Sequence, residues 1–433
     1  MRFSYAHFSD RLKTSLWFIP IMMTLMGPIL ARLFFELDLY LSDEKDFFTW
    51  MWTGSPEAAT ELFTTLAVSL VTMATLLFSI TMLVLTVVSQ QYGSHILRVF
   101  KRNLFMKCVL GWFISAFVYS LFIIVFLSTE NDPDFHPQFS IVFGILVMVL
   151  SFVIFIVFIH HMTNLIQSDH IIAAVTGGLR KKIEELEAFV EKPKEAPKKV
   201  LKELEDEGKI SLESSGYIQS IDVPYLVSLG TQFGTTLFLP LRAGHYVARG
   251  VPVVLMPETI DDETFVAEVR KCFILGYERL PKDDFEYHLE QLMEICLKAL
   301  SPGVNDTYVA MTVIDHLGDA FVMLAIRRFP QECYKDQEGE LRVISKRFSY
   351  DSFVSAAINP IKQNARSNPQ VLIRLLDMLE RVLSVTDDVE KREVLMEHAG
   401  YIYHAGADGI PDKEDVVALR GRYESICQEF RDG

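Results

Sequence analysis

Paired cysteines are missing from this chain. Its five thiols, Cys108, Cys272, Cys296, Cys333 and Cys427, are scattered, odd in number and never spaced as CxxC. That spacing excludes a disulfide framework and a thiolate zinc site. The glycine-rich phosphate cradle GxxxxGK, the dinucleotide turn GxGxxG, the nucleophile elbow GxSxG and the zincin pair HExxH are absent too. Without a phosphate cradle the sequence argues against an ATP-driven pump or a kinase, and no enzyme activity, cofactor or metal is expected from motifs. Charge is scarce at the front, with 9 basic and 11 acidic residues up to His161. Bases are in deficit behind it, 32 against 45 acids, a net charge near −13. An acidic region of that sign repels phosphate backbones, so nucleic acid is not an expected partner.

What the chain does have is apolar length. Of 433 residues 50% are hydrophobic, and the expected organisation is two or three domains. A span needs about 20 mostly apolar residues to cross a hydrocarbon core about 30 Å thick, because lipid offers backbone groups no partners. Four segments meet that length: roughly Ser15 to Phe35, where Pro20 and Pro28 should bend the helix, then Leu62 to Ser89, Leu104 to Leu127 and Phe139 to Ile159. The second is longer than needed and should tilt or extend into the interface. The apolar stretch after Met1 to Thr14 has no small-residue cleavage site, so it reads as a retained anchor.

Bases fall consistently in alternate loops. Arg2, Arg11 and Lys13 precede the first span, Arg98, Lys101, Arg102 and Lys107 separate the second from the third, and Arg180, Lys181 and Lys182 follow the fourth. The other two loops hold Asp38, Asp43, Glu44, Asp46, Glu57 and Glu61, then Glu130, Asp132 and Asp134. Since Lys and Arg stay on the cytoplasmic side, both termini are expected in the cytoplasm and the protein in a bacterial inner membrane.

The second span carries the sharpest pattern. Thr65, Ser69, Thr72, Ser79, Thr86 and Gln90 recur at intervals of three, four or seven, which at about 100° per residue sets them on one stripe. One reading surrounds an aqueous path with several copies of this helix, the hydroxyls replacing part of an ion's hydration shell. The other lets hydroxyls serve close helix approach, or bond back to their own turn, for roughly 0.6 kcal/mol each. No acid or base lies in the span's core, against a proton-coupled transporter. Arg32 with Glu36 and Asp38 forms either an outer charge cluster or a snorkelling helix end. His160, His161, Asn164, Gln167, Asp169 and His170 have the residue types of a metal site, and juxtamembrane polarity accounts for them equally.

Behind the spans, residues 162–214 read as a juxtamembrane helix and a linker broken by Pro193 and Pro197. Residues 215–262 read as a small β-containing module: a strand over Gly216 to Asp222, a short helix over Pro224 to Gly234, then strand, turn, strand to Met256 with Gly244 and Gly250 as turn residues. The text LRAGHYVARGVPVVLM there resembles the half-barrel of biotinyl and lipoyl domains but lacks their modified lysine, so only architecture follows. Residues 263–433 read as helical, with a first long helix over Asp284 to Leu300 capped by Asp283 or Asp284, and a second reaching Arg328 capped by Asn305 or Asp306. A hairpin is expected around Gly339, followed by four more helices. His398 and His404, six apart, do not share one helical face and read as packed or exposed singly. The fold class is therefore a mainly α membrane protein: four transmembrane helices followed by an α+β cytoplasmic domain, a small β module plus a helical bundle.

Ser301, Pro302, Gly303, Asn305 and Asp306 join the two long helices, with Asp283, Asp284, His288 and Glu294 nearby in sequence. Such residues suit a hard cation or a catalytic pair. They also suit a plain connection in which Pro-Gly stops one helix and Asn-Asp starts the next.

The blocks SLWFIP, FSITMLVLTVVSQQYGSHILRVF, FIHH, SGYIQSID and LEQLMEICLKALSPGVNDTYVA together resemble the domain of unknown function 2254 family of bacterial membrane proteins. The likeness runs from Ser15 beyond Arg342, and ALSPGVND (Ala299 to Asp306) is its most specific part. It implies a membrane protein and no particular activity. Thr307 stands where that family usually has proline, and Leu280 follows Arg279 where it usually has threonine. The leading functional expectation is a homo-oligomeric, channel-like assembly in the lipid bilayer passing inorganic ions, with acidic outer loops favouring cations. The rival is a membrane-anchored regulatory or scaffold protein with a cytoplasmic docking domain, and a third option is a membrane enzyme built on the histidines.

Overall fold

The computed structural model describes residues 15, 17–41, 55–93, 96–97, 100, 103–129, 137–186, 208–280, 284–327, 333–346 and 349–432. Most of the loop charges that set the expected orientation, and Pro193, Pro197 and Asp283, lie outside the described residues. The chain divides into two compact units, Met1–Ile171 and Ile172–Gly433.

The first unit is helical: α1 (Phe18–Thr24), α2 (Met26–Leu41), α3 (Pro56–Tyr92), α4 (Leu104–Thr129), α5 (Gln138–Leu165) and the start of α6 (Ser168–Glu184). The break between α1 and α2 falls at Leu25, just before Pro28. Proline has no N–H to give the carbonyl one turn back, so the helix restarts there. Ser55 opens α3 by accepting from Ala58 N, with Pro56 in the first helical position, and Gly93 at φ 100° closes it. At 37 residues α3 is about 55 Å long at the helical rise. It outruns the expected Leu62 to Ser89 at both ends.

Helix α4 packs against α1, α2, α3 and α5. Close approach is bought by small residues: a Cβ on Gly27 would stand 2.7 Å from the Ser115 carbonyl oxygen, and one on Gly144 2.7 Å from the Phe63 ring. Around them Ala31, Phe35, Phe63, Tyr119, Ile123 and Ile141 form a buried cluster. Asp38 is buried and caps α5 from outside: Phe139 N donates to its Oδ1 at 2.7 Å and Ser140 N to its Oδ2 at 3.0 Å. It supplies what Pro137, the residue preceding α5, cannot. Arg32 pairs instead with Glu36 on the exposed surface, so the three charges read together in sequence divide into two separate roles.

The second unit holds two sheets and a helical bundle. Strands β1 (Gly208–Ser211), β2 (Gly216–Ile221), β3 (Leu237–Leu239), β4 (Tyr246–Val247), β5 (Pro252–Met256) and β6 (Phe273–Gly276) alternate with α7 (Val223–Gln232) and α8 (Glu263–Lys271). A later hairpin, β7 (Cys333–Lys335) and β8 (Leu341–Ser345), joins them, giving sheet orders β1-β5-β3-β8-β7 and β4-β2-β6. All pairs are antiparallel except β3 with β8, where Leu237 lies opposite Val343. Ile218, Leu226, Leu237, Val254, Phe265 and Val343 sit in the core beneath. The sheets thus draw on strands on both sides of residues 215–262.

The bundle comprises α9 (Tyr287–Ala299), α10 (Thr307–Ala325), α11 (Tyr350–Asn364), α12 (Pro369–Leu383), α13 (Val389–Gly409) and α14 (Lys413–Asp432). Its sequence stripes meet inward: Leu292 and Ile295 of α9, Ile314 and Phe321 of α10, Phe353 of α11, and Leu375 and Leu379 of α12 are fully buried. Of the two predicted caps Asp283 lies outside the described residues, and Asp284 does not cap α9 directly: Glu286 precedes the helix without a side-chain cap, while Asp284 accepts from Glu286 N at 3.1 Å and pairs with Arg279. Five described helices or helix pairs are long and apolar enough to cross a membrane: Phe18–Tyr40, Glu57–Tyr92, Leu104–Thr129, Gln138–Leu165 and Thr307–Ala325. The last is α10, one more than the four expected. It packs against α9 and α12 and carries Asp315 and Asp319, paired with Arg374 and Arg180.

Candidate functional site

Helix α3 presents two opposite faces. Phe63, Leu70, Leu77 and Val84 are buried against the rest of the first unit. At 100° per residue the predicted stripe lies on the other side. Thr65, Thr72, Ser79, Thr86 and Gln90 are exposed and Ser69 is partly so. Val68, Leu76 and Leu83 share that outer surface.

The hydroxyls are bonded within the helix. Thr65 donates to Glu61 O at 3.0 Å, Ser69 to Thr65 O at 2.8 Å, and Thr72, Ser79 and Thr86 to Val68 O, Thr75 O and Met82 O, each at 2.9 Å. With each of these hydrogens turned inward, the outward side of each of the five hydroxyl oxygens is lone pair only and can accept but not donate, while the exposed Gln90 amide keeps donors as well as an acceptor. Such oxygens suit a cation or a water hydrogen, and they also tolerate an apolar neighbour because no hydroxyl donor is left over.

The motif loop is built from backbone bonds. Val304 N and Asn305 N both donate to Ser301 O, at 3.0 and 2.9 Å, and Asp306 N reaches back to Ala299 O at 2.8 Å. Asn305 takes φ 49°, a left-handed conformation in which asparagine is tolerated better than most residues. Asp306 then caps α10 through Val309 N at 3.1 Å, and Thr307 receives Asn368 Nδ2 at 3.0 Å, tying the loop to the start of α12. Ser301 Oγ donates to Lys298 O at 2.6 Å, while Pro302 and Gly303 are exposed. The loop amides, Ser301 Oγ and Asp306 thus serve the ends of the two helices.

The histidines at the end of α5 do not converge. His161 meets Asn103 at 3.0 Å and His160 meets Asn164 at 3.2 Å. Among the described residues no three His, Cys, Asp or Glu side chains group as a metal site.

Two polar clusters escaped the sequence reading. In the first, the turn before β4 meets the start of α9: Arg279 pairs with Asp284 at 2.6 Å and with Glu290, and Arg242 pairs with Glu286 at 2.9 Å. Gly244, at φ 92°, lies so close that a Cβ would touch Asp284 Oδ2 at 2.5 Å. Burial pushes the Asp284 carboxyl above its ordinary range, Arg279 opposing. Burial and the Arg242, Lys346 and Arg279 charges push His245 down to about 4. Among the described residues the three acids are paired with two arginines, which clamps sheet to bundle. In the second, His398 on α13 is buried with Ser355 Oγ 3.1 Å and Asp351 Oδ1 3.6 Å from its Nε2. Both partners sit on one ring nitrogen, whereas a relay needs base and orienting acid on opposite nitrogens. Burial pushes the Cys272 and Cys296 thiols up to about 12, so neither is a ready nucleophile. Arg279 and Asp284 are only five residues apart, but the contacts that complete each cluster are distant in sequence: Arg242 and Glu286 are 44 residues apart, Ser355 and His398 43.

The chain is similar to uncharacterized proteins of Mycobacterium tuberculosis and Mycobacterium bovis, each 26% identical over 384 residues, covering 86% of this chain and 72% of theirs. No solved structure matches it. A family model described as a predicted membrane protein, DUF2254, matches residues 13–381. That span takes in the apolar helices, both sheets and the motif loop, and the chain therefore belongs to the DUF2254 family of predicted membrane proteins.

Proposed function

We propose that copies of this chain assemble in the bacterial inner membrane with the outer faces of α3 around a shared aqueous path, forming a non-enzymatic, channel-like passage for inorganic cations. The observation that carries this reading is the position of the stripe, turned away from the protomer's own core and lined with acceptors whose hydrogens are used internally. Acceptor-only oxygens replace a cation's hydration shell better than an anion's. Four crossings, with both termini and the second unit in the cytoplasm, follow from the alternation of basic and acidic loops in sequence. The ion pairs of α10 and its packing in the bundle support counting it as a core helix rather than a fifth crossing.

The test is conductance of the purified full chain in planar bilayers. Cation-selective current, reduced by Ser79→Leu and retained by Ser79→Thr, is the expected result, and silent bilayers overturn the proposal. A second reading, an anchored regulatory or scaffold protein, is favoured by the in-helix satisfaction of every stripe hydroxyl described above, which lets that face meet lipid. Monomeric protein after detergent extraction, co-purifying with a soluble partner, would support it.

A further inference from the structure

His398 lies in the seam between α11 and α13 and is 2% exposed. Its Nε2 has two oxygen neighbours, Ser355 Oγ at 3.1 Å and Asp351 Oδ1 at 3.6 Å, whereas its Nδ1 is buried with no hydrogen-bond partner. The Tyr401 ring stands edge-on to the imidazole at 5.7 Å, and Lys362 Nζ lies over that tyrosine at 5.0 Å. A neutral imidazole with its hydrogen on Nε2 gives it to these oxygens and leaves only an acceptor unmet. An imidazolium carries N–H at both nitrogens, and here the second would be a charged donor buried without an acceptor, which is costly. Further along α11, Pro360 has no N–H to give Ala356 O, so the helix is weakened just past the Ser355 contact.

We propose that this seam is an acid-sensitive joint: neutral His398 holds α11 against α13, and protonation at Nδ1 opens the seam locally so that the new N–H reaches water. Burial pushes the imidazole below its ordinary value, with Asp351 drawing it up and Lys362 adding to the lowering. Those two charges come from α11, and Glu397 of α13 itself also favours the cation. Helices α12 and α14 pack on α13 as well, but none of the principal charges on the ring is theirs. Burial outweighs Asp351 because that carboxylate is largely exposed and screened by water. The closed seam therefore resists the proton, and the open one accepts it near the ordinary value of about 6.5. Below that pH the open form gains, by up to about tenfold per pH unit for one proton. The joint does not depend on whether the chain conducts, and it differs from a general loss of stability in acid because α11 and α13 part while the rest of the bundle stays folded.

The experiment is hydrogen–deuterium exchange of the purified full chain at about pH 7.5 and about pH 5.5, either side of the ordinary histidine value, with times corrected for the intrinsic exchange rate. Peptides from α11 and α13 should lose protection at the lower pH, while those from α10 keep theirs. His398→Gln, polar but not titratable, should abolish that response. Asp351→Asn should enlarge it, because the carboxylate favours the cation in the closed seam. Equal protection at the two pH values, a matching loss in α10, an unchanged response in His398→Gln or a smaller one in Asp351→Asn overturns the proposal. If His398→Gln does not fold, the wild-type comparison of α11 and α13 with α10 decides together with Asp351→Asn.

Discussion

The two units of this chain spend their polar groups in opposite ways. In the first, the described hydroxyls mostly bond within their own helix, and the polar contacts that cross between segments include Asp38 to the start of α5, Trp112 to Ser151 at 2.9 Å, Tyr119 to Ser140 O at 3.1 Å, Tyr92 to Ile166 O at 3.2 Å and Asn103 to His161 at 3.0 Å. In the second, long cations reach across elements to helix ends. Arg327 donates to Glu184 O and Leu186 O at the end of α6, Lys391 to Leu324 O, Ala325 O and Arg327 O at the end of α10, and Arg392 to Leu383 O and Thr386 O at the end of α12. Each meets the partial negative charge of a helix terminus whose last carbonyls have no partner in their own helix. The difference is one of means: the first unit's helices cohere by close steric fit and self-contained bonds, whereas in the second a charge joins one helix to another.

That contrast breaks most readily where backbone meets backbone. Gly27→Leu forces a side chain into the Ser115 carbonyl, and a loss of about 1–3 kcal/mol or more is expected, read as reduced thermal stability in detergent with the second unit unaffected. Lys391→Met tests the other unit. It strips a buried cation from three carbonyls and should cost roughly 1.5–3 kcal/mol, visible as an earlier melting transition; an unchanged transition would remove the charge-capping account.

Acid should also separate the units. His245, held near 4, and His398, lowered by burial, stay neutral in the fold while the unfolded chain protonates near 6.5. The unfolded state then binds more protons, so the second unit should lose stability as pH falls from 6.5 towards 4. His245→Gln should flatten part of that slope in pH-dependent melting curves. The smallest effect is expected on the stripe. Thr72→Val removes only a bond within one helix and should change stability by less than about 0.6 kcal/mol, so a large loss would mean that Thr72 has a partner outside its own turn.

Much of this architecture is legible in the chain because its signals are local. Apolar length gives α2 to α5, inward stripes give α9 to α14, and turn residues place Gly244, Gly250 and Gly339, all at positive φ. The boundary residues Asp306, Asn368 and Asp388 cap their helices as their types suggest. What stays hidden depends on distance along the chain. Asp284, a natural cap by sequence, is claimed by Arg279 because the turn at Gly244 covers it. The stripe on α3 could be drawn from spacing alone, yet spacing does not say whether it faces inward or outward. That follows only from Phe63, Leu70, Leu77 and Val84 taking the opposite side.

The parallel pairing of β3 with β8 bears on how the chain is made. Thr236, just before β3, donates to the carbonyl of Leu341 at the start of β8 across 105 residues, with α9 and α10 synthesised between them. Until that later hairpin emerges, β3 has an open edge, and contacts of such sequence separation form slowly. A chain stopped after α10 would leave that edge uncovered and prone to pairing with a neighbouring molecule. The sheets and the bundle are therefore bound to mature together, and truncations meant to isolate either one should keep residues 333–345.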